Sequence, residues 1–284
     1  MKIYGKIIKV FPKERIIKIQ ELTQIRYLYM SRKVFKDFGP YFFFKPYIFA
    51  NISLEKKKYG IIYANEVVFF NKVVLSTKHE RKVYYNLATI KKGVRNLLLN
   101  TKNKMFFDLE YSLPPYYQTM THMAEIVQYG IVVENEDGDI IFEDSALIRP
   151  KRKYSLNNRT LKFIGKKRED FDHASSYKDF YRLIQWCIAQ YDVKIIAWGR
   201  NDILALESSF EINRFDILDV RNRYINLMQV IKNYYNYKVD LGLFSTYQEF
   251  SGCEIEEQRH DALEDALVAR EIYRIFKNKV LAEE

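Results

Sequence analysis

The chain has 284 residues, 48% hydrophobic and 16% aromatic, a composition that excludes a disordered, collagen-like or disulfide-stapled protein. Met1–Lys104 carries 23 Lys and Arg against 6 Asp and Glu, whereas residues 105–284 carry 23 against 30, so two domains of opposite charge are expected, the first drawing polyanions, nucleic acid before others. Two cysteines, Cys187 and Cys253, without metal-ligand spacing fit a reducing, cytoplasmic compartment. The apolar runs Tyr41–Phe44 and Val67–Leu75 are broken at Lys45 and Lys72, short of the ~20 residues of a membrane helix. Met1–Lys6 has no apolar stretch ending in a cleavage site, so neither a signal peptide nor a membrane partner is expected.

In chain order, Ile7–Val10, Ile16–Gln20, Ile25–Met30, Tyr47–Leu54 and Val67–Leu75 are rich in β-branched and aromatic residues and predict five short strands. Lys33–Phe38 predicts a helix between the third and fourth strands, ended by Gly39 and Pro40. That order resembles the oligonucleotide-binding OB barrel, which implies a charged groove for phosphates and exposed rings for bases. Most of Tyr41, Phe42, Phe43, Phe44, Phe69 and Phe70 are expected in the core, where aromatic side chains concentrate. Val83, Leu87, Ile90 and Val94 recur at helical spacing and predict an amphipathic helix across about Lys78–Lys104. The expected division is a basic, mostly β domain over 1–77, a helical linker over 78–103 and an α/β domain over 104–284.

The second domain opens on Lys104-Met105-Phe106-Phe107-Asp108-Leu109-Glu110. In a strand, alternate side chains share a face, so Asp108 and Glu110 point into one site at the strand end while Leu109 faces the core. An Asp-x-Glu triplet alone is also an ordinary polar strand terminus. Two apolar runs, Glu125–Val133 and Ile140–Ile148, meet at Asp137-Gly138 and predict a hairpin, hence an antiparallel meander of three strands. A helix over Tyr177–Gln190 and a strand over Val193–Trp198 follow. Next, Trp198-Gly199-Arg200-Asn201-Asp202 starts a helix containing Ile203, Leu206 and Phe210. Alone, Asp202 reads as a cap or first-turn dipole partner. A further strand is expected over Phe215–Val220, with Asp216 and Asp219 in surface or strand-end roles. Last comes His260-Asp261-Ala262-Leu263-Glu264-Asp265-Ala266, in which Asp261 caps a helix striped by Ala262, Ala266, Ala269, Tyr273 and Phe276. This puts His260 on the preceding loop and Asp265 about one turn in.

In this order and context, the three acidic motifs resemble the DEDDh family of 3′-5′ exonucleases over roughly Met105–Phe276. The chain looks most like the KapD and Eri-type ribonuclease branch, through Glu125-Ile126-Val127-Gln128-Tyr129-Gly130 and Ala197-Trp198-Gly199. The resemblance implies a ribonuclease H-like fold, a mixed five-stranded sheet flanked by helices. It also implies two Mg²⁺ or Mn²⁺ ions held by Asp108, Glu110, Asp202 and Asp265, with His260 as general base. On that pattern Asp108 bridges the ions, Glu110 and Asp265 hold the one that carries the nucleophilic water, and Asp202 supports the other. Leu109, Tyr111 and Trp198 are expected beside the substrate. Where many relatives follow the first Glu with small residues, this chain has Tyr111-Ser112-Leu113-Pro114-Pro115-Tyr116-Tyr117.

The chemistry accounts for the residue types. Phosphodiester cleavage builds charge on the attacking and leaving oxygens, which divalent ions on carboxylates stabilise, and an imidazole exchanges its proton near neutral pH. The expected activity is release of nucleoside 5′-monophosphates from single-stranded RNA, with the basic domain holding the strand. Single-stranded DNA is the alternative substrate, and a catalytically inactive nucleic-acid-binding scaffold the alternative role.

Overall fold

In the computed structural model, which describes residues 1–76, 81–84, 87–117, 122–237, 239–253 and 260–283, alternation of outward Lys2, Tyr4 and Lys6 with inward Ile3, Gly5 and Ile7 makes Lys2–Phe11 strand β1. It pairs antiparallel with β2 (Ile16–Gln20) and with β4 (Tyr47–Tyr59). β2 pairs with β3 (Ile25–Tyr29), β4 with β5 (Ile62–Ser76), and β3 meets β5 in parallel at Leu28–Asn65 and Tyr29–Glu66. The five strands thereby close in the order β1-β2-β3-β5-β4, leaving no free edge among them. Helix α1 (Arg32–Phe42) begins at the Ser31 hydroxyl, which accepts from the Val34 N–H, and seats Phe38 and Phe42 against Phe70 of β5. The core holds Ile7, Ile17, Leu28, Ile48 and Val73.

Several expectations for this half are corrected. The helix runs past Gly39 and Pro40 to Phe42, because proline in the last turn forfeits one hydrogen bond while Phe42 gains a buried contact. Phe42 and Phe70 are core, but Phe43 and Phe44 are 59% and 66% exposed. Lys56, Lys57 and Lys58, which ended the expected fourth strand early, instead pair with Asn65, Ala64 and Tyr63 in a longer hairpin. The helix expected from Lys78 does not begin there: Arg81–Tyr84 is strand β6, paired with β5, and α2 spans Leu87–Asn100. The rest of that expected start, residues 78–80 and 85–86, lies outside the described residues.

The chain divides into Met1–Ile90 and Lys91–Glu284. In the second unit β7 (Lys104–Tyr111), β8 (Ile126–Glu134) and β9 (Ile140–Leu147) form the antiparallel meander, turned at Gly138 with φ +95°. β10 (Lys194–Ala197) and β11 (Tyr224–Asn226) run parallel to β7, giving a five-stranded mixed sheet ordered β11-β10-β7-β8-β9. Helices α3 (Asn158–Phe163), α4 (Tyr177–Tyr191), α5 (Asn201–Asn213), α6 (Leu227–Tyr235), α7 (Leu243–Ser251) and α8 (Ala262–Ala282) complete it. The period of two along β7 sorts its side chains. Met105, Phe107 and Leu109 enter a core with Phe180 and Ile184 of α4 and Leu206 and Phe210 of α5. Phe106 faces the other way, edge-on to Tyr273 of α8 at 5.5 Å.

The segment Phe215–Val220 is not a strand. Its Val220 is buried, but Asp216, Ile217 and Asp219 are exposed, and the three-residue β11 follows it. No helix among the described residues is long and apolar enough to cross a membrane.

Candidate active site

β7 and β10 run in parallel, so their carboxyl ends lie at the same edge of the sheet, where ligands bind in open α/β sheets. Glu110 is near the end of β7, and the chain leaves β10 through Gly199, at φ +89°, to start α5. Asp202 is in the first turn of that helix, not its N-cap, which is Arg200. Its carboxylate accepts the Leu109 N–H at 3.3 Å, placing it beside the strand between Asp108 and Glu110.

Asp265 arrives from the opposite sheet face on α8. The Asp261 carboxylate caps that helix, accepting the N–H groups of Leu263 and Glu264, and also takes the Gln128 amide at 2.9 Å. Burial alone would raise Asp261, but the Gln128 amide, the cap N–H groups and Lys166 hold it below the usual carboxylate range. Gly130 on β8 lies opposite Asp108. A Cβ there would sit 2.2 Å from the Ala262 carbonyl oxygen and 2.4 Å from the Leu263 nitrogen. Glycine is what lets the first turn of α8 rest on the sheet at the level of Asp108.

Glu110, Asp202 and Asp265 are 6%, 5% and 7% exposed. Ligand atoms of Glu110, His260 and Asp265 all lie within 4.8 Å of one another, with His260 Nδ1 4.0 Å from Glu110 Oε1. Burial, then the charges of Asp202, Asp265 and Glu110, push Asp108 well above the usual carboxylate range. Burial and the charges of Asp265 and Asp202 push Glu110 up to about 8. Burial raises Asp202 to about 7, against the lowering effect of two backbone N–H groups. Carboxylates this crowded are stabilised by a bound cation, and their hard oxygen donors suit Mg²⁺ or Mn²⁺.

His260 has φ +51° and lies face to face with Phe163 of α3, ring centroids 4.2 Å apart. The residues before it, 254–259, lie outside the described residues. Tyr111 is half-buried beside the carboxylates, its hydroxyl bonded to the Asn201 side chain, and burial raises its pKa. It borders an open, mostly apolar cleft of about 400 Å³ along one face of α5, lined also by Met123, Leu204 and Ser208. The Trp198 indole donates to the Leu241 carbonyl at 2.9 Å. Leu109, expected beside the substrate, is 3% exposed within the core, since strand alternation turns it away from its acidic neighbours; it contributes its backbone N–H to Asp202. Asp219 accepts from Asn222, and Glu264 is exposed. Sequence reasoning missed Gly130, Gln128 and Phe163 as parts of this site. A glycine inside the apolar run of β8 was the available signal for the first.

Comparison with known proteins fits this geometry. No family model matches the chain. It is 26% identical over 180 residues to the probable 3′-5′ exonuclease KapD of Bacillus subtilis, covering 63% of this chain and 85% of KapD. Among solved structures, the nuclease domain of 3′hExo, a DEDDh family member bound to rAMP, aligns with a TM-score of 0.56 at 16% identity, over 63% of this chain and 94% of that one. The DEDDh resemblance holds. Cell-death related nuclease 4 (CRN-4) aligns at TM-score 0.53 and 17% identity, over 64% of this chain and 65% of its own. Exonuclease I of E. coli, in complex with a dA16 oligonucleotide, aligns at 0.50 and 14%, over 62% and 41%. The second unit therefore has the mixed α/β fold of the DEDDh exonucleases, and its likeness to KapD extends to sequence.

Proposed function

We propose that the chain is a divalent-metal-dependent 3′-5′ exonuclease that releases nucleoside 5′-monophosphates from single-stranded nucleic acid, RNA by preference. The observation that carries this reading is the convergence of Glu110, Asp202, Asp265 and His260, from three separate segments, at the strand end that holds Asp108. A catalytically inert scaffold would have no physical need for four mutually repelling carboxylates, three of them buried, with an imidazole at their rim. Asp108, Glu110, Asp202 and Asp265 would hold Mg²⁺ or Mn²⁺, two ions on the family pattern. Bound cations would neutralise the charge that builds on the attacking and leaving oxygens. His260 takes a proton from the attacking water, and its removal costs turnover more than binding, by about 10²- to 10⁴-fold. Tyr111 and Trp198 flank the terminal nucleotide.

RNA is favoured by the resemblance of Glu125–Gly130 and Ala197-Trp198-Gly199 to the KapD and Eri-type ribonuclease branch; single-stranded DNA is the second reading, since a solved neighbour holds a deoxyoligonucleotide. The first unit acts as the strand-holding module. Its closed strand order with a helix between β3 and β4 supports an OB-type barrel, and Met1–Ile90 carries 18 Lys and Arg against 6 acids. The division into 1–77, 78–103 and 104–284 is proposed as functional: strand capture, connection, hydrolysis. Two free cysteines suit a cytoplasmic enzyme. The test is digestion of 3′-labelled, 5′-labelled and 3′-blocked RNA and DNA oligomers with Mg²⁺, Mn²⁺ or EDTA, using Asp108→Ala as the inactive control.

A further inference from the structure

Charge counted over whole domains hides one feature of the second unit. Between Arg149 and Arg168 the chain has nine Lys and Arg and no acid, whereas the remainder of 105–284 has 14 basic residues against 30 acidic. The structure fastens this segment along one side of the acidic site. At its start, the buried Glu125 carboxylate accepts the N–H groups of Lys151 and Arg152 and the Ser155 hydroxyl. In the middle, Thr160 Oγ1 accepts the Leu113 N–H at 3.0 Å and Asn157 donates to the Leu113 carbonyl at 2.8 Å, three residues beyond Glu110. Arg159 donates to the Pro114 carbonyl and lies 5.5 Å over the ring of Tyr116. At the far end Phe163 stacks on His260, and Lys166 is 3.8 Å from Asp261. The segment thus forms a basic ridge from the stretch after Glu110 to the loop that carries His260.

Arg149, Arg159, Lys166 and Arg168 of the segment are engaged by the fold, but not all of its charges are spent that way. Lys151, Lys153 and Lys162 are exposed and, among the described residues, their ammonium groups pair with no carboxylate. Tyr154 and Tyr116 are exposed and each lies next to an arginine, 6.0 Å and 5.5 Å from Arg152 and Arg159. Cations interleaved with open rings suit a flexible polyanion whose bases can stack. A protein surface rich in carboxylates would use the charges but have no use for the rings.

We infer that this ridge is the track for the single-stranded nucleic acid just upstream of the scissile bond: the 3′ end enters the carboxylate pocket and the next few phosphates lie along Lys151, Lys153 and Lys162. The inference rests on the exonuclease reading, and its test separates the two. Full-length protein with Lys151→Glu, Lys153→Glu and Lys162→Glu is compared with wild type on an RNA oligomer of about 12 nucleotides and on the p-nitrophenyl ester of thymidine 5′-monophosphate, which has no upstream phosphates. The expected result is a KM on the oligomer raised about tenfold or more and a log–log salt slope of binding shallower by about 2, from three lost contacts on a single strand. Hydrolysis of the small ester stays within about twofold, because no carboxylate of the site is altered. Unchanged oligomer KM and salt slope would overturn the track and leave the exonuclease reading intact. If ester hydrolysis falls as well, the Lys→Gln triple, which adds no acid near the site, is judged by the same criteria. Should wild type cleave neither substrate, the exonuclease reading fails, and oligomer binding in EDTA by fluorescence anisotropy still decides whether the ridge holds the strand.

Discussion

On the proposed function, the protonation of Asp108, Glu110, Asp202 and Asp265 is linked to metal loading. Glu110 and Asp202 sit near 8 and 7, raised first by burial. In the unfolded chain both titrate near 4, so between about pH 4 and 8 the metal-free native state binds more protons than the unfolded state. Stability of the metal-free protein therefore falls as pH rises through that window, the reverse of a salt-bridged carboxylate. A cation that occupies the site should raise Tm more at pH 8 than at pH 6 and release protons as it binds. Thermal scans with and without Mg²⁺, and titration calorimetry in buffers of different ionisation enthalpy, check both; a pH-independent gain with no proton release would contradict this picture. At this scale the sequence was legible where a period exposes the chemistry. Strand alternation puts Asp108 and Glu110 together and Leu109 in the core. It did not expose Phe163, because the contact with His260 joins segments nearly a hundred positions apart and no local pattern announces it.

At the level of elements, the site depends on how closely α8 approaches the sheet. Ala262, Ala266 and Ala269 are buried along its inner face, and Gly130 leaves room for its first turn. Further along, Arg270 pairs with Glu134 at 2.7 Å and donates to the Gly138 carbonyl, while the fully buried Lys104 pairs with Glu134 at 3.1 Å. The helix is thus held to the β8–β9 hairpin at a second point. Gly130→Ala should force its N-terminal turn away from Asp108. A shift of about 1 Å in catalytic groups costs on the order of 10²-fold in rate, and overpacking costs about 1–3 kcal/mol. Activity assays together with thermal melting test this. A variant as active as wild type would show that the close approach is dispensable. The small-residue stripe of α8 and the Asp-Gly hairpin could be read directly, since helical period and turn chemistry are local. Phe215–Val220 was misread because Phe215, Leu218 and Val220 pack against the core without a pairing partner, and pairing is a long-range property. The same blindness hid the extension of the β4–β5 hairpin through Lys56, Lys57 and Lys58.

For the whole molecule, the expected boundary near Asn103 falls C-terminal to a helix that serves the second unit. Arg95 on α2 donates to the carbonyls of Val280, Leu281 and Glu283, satisfying the C-terminal end of α8, and Lys91 pairs with Glu283 at 3.2 Å. Deleting residues 1–86 should therefore keep a stable nuclease unit that handles very short substrates and captures long ones poorly. Deleting 1–102 should cost about 2 kcal/mol more by stripping a cation from a helix C-terminus. Melting curves and strand-length-dependent KM values on the two truncations distinguish these outcomes; equal stability of both would contradict the assignment of α2. Opposite charge in the two halves was plain in the composition. The basic ridge at 149–168 was not, because averaging it with 30 acids erased it.

The reading of this chain as a metal-dependent enzyme that consumes single strands from the 3′ end meets its most direct test in a digestion of RNA oligomers labelled at one end or the other. With Mg²⁺ or Mn²⁺, a 3′ label should leave at once as a nucleoside 5′-monophosphate, a 5′ label should remain on a ladder of shortening strands, and a 3′-blocked strand should survive. All cutting should stop in EDTA and in Asp108→Ala, which still binds the oligomer. Degradation of the blocked strand, or activity that persists in Asp108→Ala, would contradict the account.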